Sequence, residues 1–223
     1  LKLIMYCAAF NSNAYLHHIA LNTTRPLELA KFYEKALSLG RKPIKGGWVL
    51  SGGRRKVLIL NNKQNSLGFA AFACQDSHSF KNLKRNFMEK GIKIDQDDKS
   101  LFDHDNFYIL DCDGNKIYFG LAKNRKDQNS DLYAPLQHIT FTSKNLDNFV
   151  GFYVEKLGVK ISDKVINKEG ALTTCFMRSN QEHHTIACFL SNKSGLDHYS
   201  FEAGTWEWIK NWCDHFSKQN IRL

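Results

Sequence analysis

Three histidines carry the most distinctive chemistry open to this chain. His138 stands near the head of "LQHITF", His198 near the head of "LDHYSFE", and His184 opens "HTIACFL". Each lies in or beside a short apolar run where alternation asks for a core side chain. Two imidazoles and one carboxylate on a common face form a donor set that holds a divalent ion and leaves positions open for substrate. His138 and His198 are the expected metal ligands. Thr140, two residues beyond His138, shares its strand face and is expected to line the pocket. His184 precedes His198 by 14 residues. An imidazole near a metal but not on it, with a pKa near neutrality, can both accept and donate a proton.

The elements that must position these residues are legible because the chain repeats. "LHHIALNTTRPLELAKFYEKALSLG", Leu16 to Gly40, matches "LQHITFTSKNLDNFVGFYVEKLG", Leu136 to Gly158, in histidine, alternating strand, polar turn, "FY" and "LG". His18 lies 14 residues before Phe32, and His138 lies 14 before Phe152. Each copy opens with a strand followed by a helix, and in the first Leu27, Leu29, Phe32 and Ala36 form the helical stripe. The Gly of "LG" is expected at the C-cap. Further strands are predicted at "GGWVLSG", "KVLILN", "ALTTCFMR" and "HTIACFL".

The motif then restarts within each copy. "GFAAFAC" leads into "SFKNLKRNFMEKGIKI", and "DHYSFEA" leads into "WEWIKNWCDHFSKQNIRL". His138 and His198 therefore begin equivalent strands of paired motifs, which points both imidazoles into one concavity. "YILDCDGNKIYF" reads as a hairpin closed by Asp111, Gly114 and Asn115. Trp208, Trp212 and Phe216 fall at i, i+4 and i+8, a helix face packed on a sheet. His17, His78, His104 and His215 lack partners at metal spacing and are expected on the surface; His183 alternates away from His184. The polar segment 123–135 is the expected linker between domains at 1–122 and 136–223.

These ordered features, "LHHIAL", "FYEKALSLG", "DCDGNKIYF", "LQHITF", "HHTIACF" and "LDHYSFE", resemble the vicinal oxygen chelate superfamily (glyoxalase, bleomycin resistance and dioxygenase proteins). Within it they resemble the two-domain type I extradiol, or catechol 2,3-, dioxygenases, over nearly the whole chain from Tyr15. The resemblance implies an α+β fold of tandem βαβββ modules forming two half-closed barrel domains. It implies Fe(II), or Mn(II), in the C-terminal domain only, with His138 and His198 as ligands. It also implies that His184 is the catalytic acid/base and that Phe176 forms an aromatic wall against the substrate. A small aromatic diol and O2 are the implied reactants, and a homo-oligomer the implied assembly.

The same resemblance accounts for the first copy and raises the matter of the third ligand. The position matching His198 is Phe69, and the family's glutamate, seven residues after the first Asp of the hairpin, is Tyr118 here. The first domain is therefore expected to hold no metal. In the second copy the chain reaches Leu223 before the corresponding hairpin, so the glutamate and the last strands are expected beyond it. Without them the protein would be inactive. A longer natural chain is expected, as is an earlier start, since residue 1 is Leu rather than Met.

Composition narrows the alternatives. The net charge is +9, but the 31 Lys and Arg residues are scattered, and no groove-reading or base-stacking motif accompanies them, so nucleic acid is not an expected partner. The first ten residues are apolar yet too short to span a bilayer, so no membrane partner is expected. Six cysteines without a C-x-x-C pair read as reduced thiols, consistent with a cytoplasmic protein. The competing reading is a metal-free superfamily member that sequesters an aromatic molecule without catalysis. A third is an iron oxygenase acting on an aromatic keto acid, which His184 argues against.

Overall fold

The structure is a computed structural model that describes residues 7–53, 55–63, 66–102, 105–122 and 132–222. His104 and the expected linker up to residue 131 lie outside these residues.

A short α1 (Ala8–Asn11) precedes the first motif, which runs β1 (Tyr15–Thr23), α2 (Pro26–Ala36), β2 (Gly40–Ile44), β3 (Gly47–Gly52) and β4 (Arg55–Asn61). The second runs β5 (Ser66–Cys74), α3 (Ser77–Glu89), β6 (Asn106–Leu110) and β7 (Lys116–Leu121). The third comprises β8 (Leu136–Ser143), α4 (Leu146–Gly151), a π-helical turn (Phe152–Leu157), β9 (Lys160–Ile166), β10 (Leu172–Arg178) and β11 (Ile186–Leu190). A fourth opens with β12 (Gly195–Phe201) and α5 (Trp206–Lys218). The fold is α+β, and the βαβββ order is complete in the first and third motifs. Its sheets mix parallel and antiparallel pairs and stay open rather than closing into barrels.

The sequence pattern missed β2 and β9. Both are edge strands, and their residues, "GRKPI" and "KISDKVI", carry the charge and proline that keep an open edge from pairing with another chain.

The chain divides into two compact units that interleave in sequence. Among the described residues, one contains those between 7 and 16, 69 and 122, and 138 and 199; the other contains those between 17 and 68, 132 and 137, and 200 and 222.

In the second of these, strands lie in the order β2-β3-β4-β1, with β1 and β4 parallel and Ile19 opposite Val57. The inward face of α2 is made by Ala30 and Ala36, whereas Leu27 is 41% and Phe32 55% exposed. Ala36 of the expected stripe is buried and Leu29 half-buried, but Leu27 and Phe32 are not, and Ala30 takes the central contact with the sheet. The left-handed residue after α2 is Ser38, φ +50°, and Gly40 already belongs to β2. On α5, Trp212 is buried, with the Arg55 guanidinium 4.6 Å above its ring. Trp208 and Phe216 are half-buried on the expected face.

In the other unit, β5-β7-β6 lie side by side, and a five-stranded sheet runs β12-β8-β11-β10-β9. Its register sorts side chains by face. Ile139 stands opposite Ile186, and Ile186 opposite Met177; Phe141 stands opposite Cys188, and Cys188 opposite Cys175. These rows are fully covered, and the rings of Phe149 and Tyr153 pack on Phe141 at 5.6 and 6.4 Å. Burial of each such side chain contributes about 1.5–3 kcal/mol. The intervening row, Thr140, Ala187 and Phe176, faces the opposite way. Gly158 ends the π-helical turn at φ +75°, and a Cβ there would collide with the backbone of Ala8.

The β6–β7 hairpin is tied to this helical layer by a buried acid. Asp111 Oδ1 accepts from the N–H groups of Asp113 and Asn115 at 2.9 and 2.8 Å, and Tyr153 Oη donates to Oδ2 at 3.0 Å. Burial pushes the Asp111 carboxyl above its ordinary range, so each donor that remains counts. Replacing Tyr153 by Phe removes one donor without changing the ring, and a loss of about 1–3 kcal/mol is expected in urea unfolding. Unchanged stability would contradict the tie.

Candidate functional site

The open face of the five-stranded sheet gathers the histidines. His138 is the third residue of β8, and His198 lies midway along the neighbouring β12. Their Nε2 atoms are 3.3 Å apart, and the rings meet edge to face at 5.4 Å between centroids. His184 joins them, its ring centroid 4.2 Å from that of His138. It lies two residues before β11, which begins at Ile186, and so does not open the strand as the sequence pattern implied.

Phe176 on β10 walls this cluster, 5.1 Å from the His184 ring and 5.9 Å from that of His183. Thr140 lies on the His138 face as expected but is only 1% exposed, opposite Ala187. His183 is exposed and contacts His184 directly, Nδ1 to Nδ1, at 3.0 Å.

Two contacts set how the imidazoles present their nitrogens. Asp197 Oδ2 is 2.6 Å from His198 Nδ1, so the carboxylate accepts the Nδ1 proton and leaves the Nε2 lone pair directed at His138. Burial, then His184 and His198, pulls the His138 pKa down to about 4. Burial, then His183 and His198, also lowers that of His184. Both rings are therefore neutral at pH 7 and offer lone pairs.

Asp197 was not among the residues singled out from the sequence, although "LDH" contains the signal: a carboxylate beside a ligand histidine fixes its tautomer. His17 differs from expectation too. It is only 9% exposed, with Nδ1 2.8 Å from His18 Nδ1 and Nε2 3.0 Å from Lys56 Nζ. The β1–β4 pairing encloses it. His78 is exposed on α3, and His215 is half-buried, within 3.1 and 3.2 Å of the carbonyls of Lys35 and Ala36 at the end of α2.

The donors present fit two positions of a metal centre. A separation of 3.3 Å is what two adjacent nitrogen donors adopt when each lies about 2.1 Å from one ion. Among the described residues, no group of three or more His, Cys, Asp or Glu side chains is arranged to hold a metal. The first copy's equivalents of His198 and the glutamate are Phe69 and Tyr118, two buried rings 4.7 Å apart.

Comparison with known proteins gives these features a class. Residues 136–223 match the Glyoxalase/Bleomycin resistance protein/Dioxygenase superfamily. No curated protein matches the chain in sequence. Among solved structures, a variant of homoprotocatechuate 2,3-dioxygenase from B. fuscum superposes with a TM-score of 0.75 at 17% identity, covering 93% of this chain and 61% of that one. The native enzyme from Arthrobacter globiformis gives 0.74 at 15% identity, covering 93% and 69%. A Brevibacterium fuscum complex with 3,4-dihydroxyphenylacetate gives 0.74 at 17% identity. The superfamily read from the sequence is matched over the C-terminal part, and the fold is that of the extradiol ring-cleaving dioxygenases. The chain spans about three-fifths of the length of the first of these structures.

The electrostatics of the cluster give a direct test in metal-free protein. The folded pKa of His138 lies below the unfolded value of about 6.5. The stability linked to it is thus complete above that pH and is lost as pH falls from 6.5 toward 4. NMR titration should show the His138 ring protons shifting near pH 4; a midpoint near 6.5 would contradict the burial and crowding described.

Proposed function

We propose that the protein is a non-haem Fe(II)-dependent extradiol dioxygenase that inserts both atoms of O2 into a catechol-type aromatic diol. The observation that carries this reading is the 3.3 Å approach of the His138 and His198 Nε2 atoms, with His184 beside them. His138 and His198 hold the metal, Fe(II) or Mn(II), together with a glutamate that the resemblance implies and the described residues do not supply. When bound, the ion acts as a Lewis acid toward the diol and as the redox partner through which dioxygen reacts with the ring.

The chain's own residues do the rest. Asp197 keeps the proton of His198 on Nδ1, so that Nε2 serves as donor. His184 is the acid/base: it is neutral at pH 7 and its Nδ1 is engaged with His183, so it takes the diol proton at Nε2 and later returns it. Phe176 orients the substrate ring by lying against the His184 edge. Thr140, buried on the strand face it shares with His138, narrows the room for water, which strengthens every charge interaction in the pocket. The reactants are small molecules, and a homo-oligomer of the soluble kind is the proposed assembly. Among the described residues, no helix is long and apolar enough to cross a membrane.

The competing reading is a metal-free protein that holds an aromatic molecule on the same sheet face. The two separate in one set of assays. After anaerobic loading with Fe(II), the dioxygenase reading predicts stoichiometric iron, O2 uptake with 3,4-dihydroxyphenylacetate or catechol, and a yellow ring-opened product. His198→Ala should abolish iron retention. His184→Gln should retain iron and lower kcat about 10²-fold or more. Iron-loaded full-length natural protein that consumes no O2 with any catechol would overturn the assignment. Binding of an uncharged aromatic molecule such as catechol that survives His198→Ala, in protein that takes up no iron, would establish the competing one.

A further inference from the structure

On the helical side of the five-stranded sheet, away from the histidine face, the same unit contains a cavity of about 240 Å³. It opens where the turn after α3 meets the end of β6 and the π-helical turn. Three lysines converge on it: Lys90, Lys93 and Lys156. Lys93 is paired with Asp95 at 3.3 Å. Lys90 donates to the carbonyl of Glu155 at 2.6 Å, an uncharged acceptor that leaves its positive charge unbalanced. Among the described residues, neither Lys90 nor Lys156 has a carboxylate at ion-pair distance.

Burial is the largest cause lowering the Lys90 pKa; Cys7 opposes it, and the charge of Lys156 adds a smaller lowering. Both ammonium groups belong to the lining of one cavity. Like charges brought together without a counter-ion raise the local potential and concentrate anions there.

The remaining wall is apolar. Ile92 and Phe152 are half-buried, and Leu110 is 56% exposed. A neutral aromatic molecule would cover this wall and leave the lysines unanswered, whereas inorganic phosphate would answer the lysines and leave the wall wet. The π-helical turn supplies Phe152, Lys156 and the Glu155 carbonyl that positions Lys90. Such widened turns recur at functional sites. The volume is below the roughly 300–1,000 Å³ of pockets for drug-sized ligands, which limits the occupant to one or two rings.

We propose that this cavity is a binding site for a small organic anion, a single carboxylate or sulfonate on a flat apolar body, held between Lys90 and Lys156 with the body against Phe152 and Leu110. The site is separate from the histidine cluster and does not depend on the dioxygenase reading.

Isothermal titration with 2-naphthoate tests it. The expected result is a Kd at or below about 1 mM, weakened at least tenfold for 2-naphthamide, which keeps the rings and loses the charge. Lys156→Met should also weaken binding at least fivefold. Lys156 is exposed, so this variant keeps the fold, which circular dichroism checks. His198→Ala should bind the acid as the parent protein does. The proposal fails if the amide binds as tightly as the acid, if Lys156→Met leaves Kd unchanged, or if His198→Ala abolishes binding. It also fails if inorganic phosphate displaces naphthoate at equal concentration, since the apolar wall would then contribute nothing.

Discussion

The two-residue alternation of β8 and its neighbours is the constraint on which the site depends. On one side, Ile139, Ile186 and Met177 form a continuous row, with Phe141, Cys188 and Cys175 next to it. The rings of Phe149 and Tyr153 close over Phe141. Because burial of that side is fixed by packing, the other side must present His138, Thr140, Ala187 and Phe176. A slip of one residue would exchange the faces and bury imidazoles among aromatic rings. The position of His138 is thus set by hydrophobic contacts it does not itself make, and His198 meets it because β12 is the next strand.

The two copies use one scaffold for different ends. Their pairing registers align Val57 with Ile186, so Arg55 stands where His184 stands. Arg55 rests on the Trp212 ring, a packing role with no lone pair to offer. At the positions where the proposed metal site would have a nitrogen and an oxygen donor, the first copy has Phe69 and Tyr118, two buried rings, and the Tyr118 hydroxyl donates to Asp97.

Much of this was legible in the sequence because repeats, alternation and turn chemistry are local signals. The strand–helix opening of each motif, the Asp111 hairpin and the Trp212 face follow from patterns a few residues long. What was not legible depends on neighbours distant in sequence. Leu27 and Phe32 look like core residues of the helical stripe, but beside Ala36 it is Ala30 that the sheet buries. His17 looks solvent-exposed until β4 brings Lys56 to it. The edges β2 and β9 are hidden by the charges that protect them. Asp197 matters only once His198 Nδ1 is seen beside it.

The central claim is that His138 and His198 act as a pair on one metal ion. The most direct measurement is X-ray absorption at the iron edge of the Fe(II)-loaded protein, before and after His138→Ala. Scattering from two imidazole rings in the parent protein, reduced to one or lost with the iron in the variant, is the predicted result. An iron environment without imidazole scattering, or one unchanged by the substitution, would contradict it.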